Sequence, residues 1–95
     1  MTFEEVCEAA KRNCGPWRLH YGFVRGYRSS DTALVCPIAA AVNSLSSCCN
    51  VDAVYGEYDQ ELGLSEDTRI ELVAAADQED APKRAIMLKI LGISP

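Results

Sequence analysis

The hydrophobic period of this chain changes abruptly at Gly15-Pro16. Before that point Phe3, Val6, Cys7, Ala10 and Cys14 recur at helical spacing. After it Trp17, Leu19, Tyr21 and Phe23 alternate with Arg18, His20 and Gly22. That is the two-residue period of a strand with one apolar and one polar face. A glycine followed by a proline stops a helix, because proline has no amide hydrogen and disfavours helical geometry in the residue before it. The chain therefore reads as α+β: an N-terminal helix, a β-hairpin, then three or four packed helices.

Local signals place the elements. Thr2 and Glu5 form a capping box, so the first helix spans about residues 3 to 13. The strand opening at Trp17 can extend through Val24 to Arg28, and Thr32 to Val35 supplies its return partner. Such a two-stranded hairpin is marginal alone and must lay its apolar face on helices. Pro37 suits the first position of a helix running to about residue 48, with Ile38, Ala41, Val42, Leu45 and Cys49 as its stripe. A further helix starts at Asn50 or Asp52 and ends at Gly63. Ser65 caps the next, with Ile70, Val73 and Ala74 facing inward and Leu72 beside them. Asp80, or the residues around Pro82, start the last helix, which closes at Leu91-Gly92.

The 95 residues suffice for one compact domain spanning 1–95, and neither half would support a core of its own. No apolar run approaches the ~20 residues of a membrane span. Residues 1 to 14 lack the basic-then-apolar order of a secretion signal. A reducing cytoplasmic location is expected, with the five cysteines mostly small buried apolar residues. Cys7 and Cys14, two helical turns apart, are too distant to bridge. No C-x-x-C pair is present, and neither a metal nor another cofactor is expected.

The net charge of −5 argues against a protein whose work is neutralising phosphate, and the charge is unevenly spread. Residues 50–82 carry ten acids against Arg69 alone, a net of −9, whereas residues 17–49 are +2 and residues 83–95 are +3. One helical segment thus supplies the excess, and an acidic surface facing a basic protein partner is the expectation. Its candidate contacts are Asp59, Glu61, Glu66, Asp67 and Glu71. Arg25, Tyr27 and Arg28 of the hairpin form a secondary candidate surface, where bases stand beside rings that can stack on an anionic ligand. A homo-oligomer through Tyr55 and Tyr58 is a subsidiary reading.

The segment Gln60-Glu61-Leu62-Gly63-Leu64-Ser65-Glu66-Asp67-Thr68-Arg69 resembles the turn of helix-turn-helix DNA-binding proteins. The resemblance covers about twenty residues. It implies that Ser65 to Asp77 would enter a major groove. That helix would offer Glu66, Asp67 and Glu71 to the phosphates with Arg69 as its base reader, so its charge opposes docking. Nucleic-acid binding is therefore an alternative rather than the main expectation.

A second alternative is a thiol enzyme. Cys36 precedes Pro37, so its thiol would meet the positive end of a helix, which favours thiolate. His20, the sole histidine, could act as its base. No third orienting residue and no oxyanion motif accompany the pair. Phosphate-binding glycine loops, zinc-protease motifs and nucleophile elbows are absent from the sequence. The reading with most support is a small protein-interaction or regulatory module, not an enzyme.

Overall fold

A computed structural model describes residues 1–13, 16–20, 23–27, 32–33, 37–42, 59–77 and 79–93. Among these residues helix predominates. The elements are α1 (Phe3–Asn13), β1 (Trp17–His20), β2 (Phe23–Tyr27), β3 (Thr32–Ala33), α2 (Pro37–Ala41), α3 (Glu66–Ala76) and α4 (Ala81–Leu91), with residues 59–62 also helical.

The helix ends follow from side chains that satisfy the backbone groups a helix leaves unpaired. At the start of α1, Glu5 N–H donates to Thr2 Oγ1 at 3.2 Å and Thr2 N–H donates to Glu5 Oε1 at 3.0 Å, the reciprocal pair of a capping box. Those Thr2 contacts, the backbone one first, hold the Glu5 carboxyl below its ordinary pKa. Ser65 caps α3 by accepting from Thr68 N–H, and Asp80 caps α4 by accepting from Lys83 N–H at 3.1 Å. At the far end of α4, Gly92 takes a left-handed φ of 73°. Ile93 N–H then reaches Leu88 O at 2.9 Å and Gly92 N–H reaches Lys89 O at 3.3 Å, a Schellman closure.

The expected two-stranded hairpin, one strand from Trp17 extending to Arg28 with Thr32 to Val35 as its return partner, is not supported. Trp17 pairs with Gly26 and His20 with Phe23, so β2 runs back against β1. A single strand from Trp17 to Arg28 therefore does not form. Thr32 and Ala33 pair with Tyr27 and Gly26, giving the order β1-β2-β3. In the sequence, unbroken alternation from Trp17 to Phe23 hides this reversal, because the two-residue period gives no sign of where a strand ends.

The core joins the ends of the chain to its middle. Phe3, Val6, Cys7, Ala9 and Ala10 of α1 are buried with Trp17, Val24, Ile38, Ala40, Ala41, Leu72, Ala75, Ala76, Met87, Leu88, Leu91 and Ile93. α1 packs on α2 and on α4, and α4 packs on α3. Asn13 Nδ2 donates to both Ala40 O and Ala41 O at 3.0 Å, which ties the end of α1 to the last carbonyls of α2. The many alanines let these helices approach closely. The Cα radius of gyration is 11.7 Å, against roughly 12 Å expected for a folded domain of this length.

One inward face differs from expectation. Leu72, Ala75 and Ala76 are the buried residues of α3, while Ile70 is 52% exposed. Apolar residues occur around the whole circumference of this helix, so spacing alone does not select a side. The expected helix from Pro37 is described only to Ala41, and the remainder of that stripe lies outside the described residues. The same is true of the 50–58 stretch with Tyr55 and Tyr58.

Candidate functional site

The acidic segment is built around a single turn. Residues 59–62 are helical, and Gly63 takes a φ of 61°. Leu64 N–H donates to Asp59 O at 2.9 Å and Gly63 N–H to Gln60 O at 3.4 Å, again a Schellman pattern. The Met1 amine donates to Leu62 O and Gly63 O, both at 3.1 Å, placing a positive group on these helix-end carbonyls. Ser65 then starts α3, whose first turn carries Glu66 and Asp67 at its positive end.

Within this arrangement the five candidate acids divide. Arg69 Nε donates to Asp59 Oδ2 at 2.8 Å, with both side chains partly buried. Asp59 Oδ1 is buried with no hydrogen-bond partner. Glu71 Oε2 lies 3.6 Å from Lys83 Nζ, and the same ammonium stands 5.0 Å from the centre of the Phe3 ring. Asp59 and Glu71 are thus engaged by cations of their own chain. Glu61, Glu66 and Asp67 are exposed.

The neighbouring cations point inward. Arg69 serves Asp59, Lys83 serves Glu71 and Phe3, and Arg84 Nη1 donates to Ala75 O at 2.9 Å and Ala76 O at 2.7 Å. Burial lowers the Arg84 pKa, with nearby Asp77 acting in the opposite sense. Among the described residues, neither the Arg69–Asp59 nor the Lys83–Glu71 pair engages the exposed Glu66 and Asp67 of α3. By helical spacing Ile70 shares that side with Glu66, Asp67 and Ala74, and exposed Asp77 follows one turn beyond Val73 and Ala74. Sequence reasoning passed over Ile70, because it placed that residue in the core. Exposed acids one turn before it were the available signal.

The other candidates are placed less fully. His20 is the last residue of β1 and pairs with Phe23, and Arg25 and Tyr27 lie on β2 opposite Arg18 and Thr32. Cys36 and Arg28 lie outside the described residues, so the Cys36–His20 pair does too. Cys7 is a free, buried thiol. Burial first, then the charges of Glu4 and Glu8, push its pKa up to about 12. It behaves as a small apolar side chain of α1. Trp17 Nε1 is also buried without a partner. Among the described residues no group of three or more His, Cys, Asp or Glu could hold a metal ion, and no helix is long and apolar enough to cross a membrane.

The chain was compared with known proteins at three levels: no family model, no curated protein and no solved structure matches it.

Proposed function

We propose that this chain is a small cytoplasmic α+β interaction module that presents an acidic helical surface to a basic protein partner. The observation that supports this reading is the division of charge on α3 and the turn before it. Glu61, Glu66 and Asp67 are exposed, while Arg69, Lys83 and Arg84 are directed to partners inside the chain. An exposed field of one sign steers an oppositely charged partner and makes association salt-dependent. Arg25 and Tyr27 of β2, with Arg28 next to them in sequence, remain a secondary contact surface in this proposal.

The helix-turn-helix reading receives less support. The turn chemistry at Gly63 and Ser65 fits that motif, but it serves equally to join two packed helices. Glu66 and Asp67 at the start of α3 would face phosphates with like charge.

The test compares the unmodified chain with the charge reversal Glu61→Lys, Glu66→Lys, Asp67→Lys in affinity capture from the native lysate. Recovery of one stoichiometric basic protein by the unmodified chain, lost in the variant and weakened by added salt, is expected. Circular dichroism controls for folding of the variant. Equal recovery by both, or recovery of nothing by either, overturns the proposal. Duplex DNA titrated at low salt should give no binding.

A further inference from the structure

We draw no further inference here: the strongest candidate, the outward side of the α3–α4 pair where Ile70 and Ile86 are exposed, carries nothing because nothing in the structure shows what covers it.

Discussion

Arg69 Nε sits 2.8 Å from Asp59 Oδ2, joining the helical residues 59–62 to the first turn of α3 across Gly63. The sole base among residues 50–82 is thereby directed to an internal contact with Asp59. Removing Arg69 leaves a partly buried carboxylate whose other oxygen is buried and already lacks a partner. Arg69→Ala should cost about 1–2 kcal/mol, allowing for partial solvent screening. Asp59→Asn, which keeps an acceptor, should cost less. Urea denaturation of both variants checks the order, and a more stable Arg69→Ala would contradict it.

Leu72 and Ile70 lie on opposite sides of one helix, at 1% and 52% exposure. Leu72→Ala removes buried methyl groups and opens a cavity, for an expected loss of about 2–4 kcal/mol. Ile70→Ala should change stability by less than about 1 kcal/mol, since most of that side chain meets water already. Thermal melts of the two variants distinguish this arrangement from the inward Ile70 that spacing suggests.

Cys7 makes stability depend on alkaline pH. Its folded-state pKa of about 12 lies above the ordinary thiol value, which is about 8.5. The thiol stays neutral in the folded chain and ionises in the unfolded one. Its contribution is therefore fully present below pH about 8.5 and is lost as pH rises toward 12, by up to ~1.4 kcal/mol per pH unit. Denaturation of the unmodified chain and of Cys7→Ala between pH 7 and 10.5 should show a steeper decline for the former. Alkylation of Cys7 at pH 7.5 should proceed at the rate of unfolding, and immediate modification would show the thiol to be accessible.

Gly63 and Gly92 both hold left-handed backbone, at φ of 61° and 73°. A Cβ at Gly63 would meet the Met1 nitrogen at 3.8 Å, an ordinary contact, and one at Gly92 would meet nothing within 4 Å. The cost of alanine is thus conformational, not steric crowding, and should be about 1 kcal/mol at each site. Asparagine, which tolerates this conformation better, should recover part of it. Matched chemical denaturation of Gly→Ala and Gly→Asn variants measures both effects.

Features written in short sequence windows were legible. Thr2 with Glu5, Ser65, Asp80, Pro37, Gly63 and Gly92 each act within a few residues, so helix ends could be read from them directly. Long-range choices were harder. The reversal before Phe23 was hidden because alternation continues smoothly through Tyr21 and Gly22. Ile70 was misplaced because α3 has apolar side chains on both sides, and only contact with α4 decides which side is buried. For the acids, sequence showed where charge is concentrated. It could not show that Asp59 and Glu71 are neutralised by Arg69 and Lys83, since both pairings depend on how separate segments meet.

The packing of α1 has a consequence for the order in which the molecule can assemble. α1 is buried by α2 and also by α4, which lies far from it along the chain. Phe3, Val6 and Cys7 can begin to bury once α2 is present, but the core they share with Met87, Leu88 and Leu91 is complete only when α4 docks. Contacts of such high sequence separation form late and slow folding relative to a bundle closed by neighbouring helices. A chain truncated before residue 81 should therefore be cleaved in α1 by a protease faster than the chain that keeps α4.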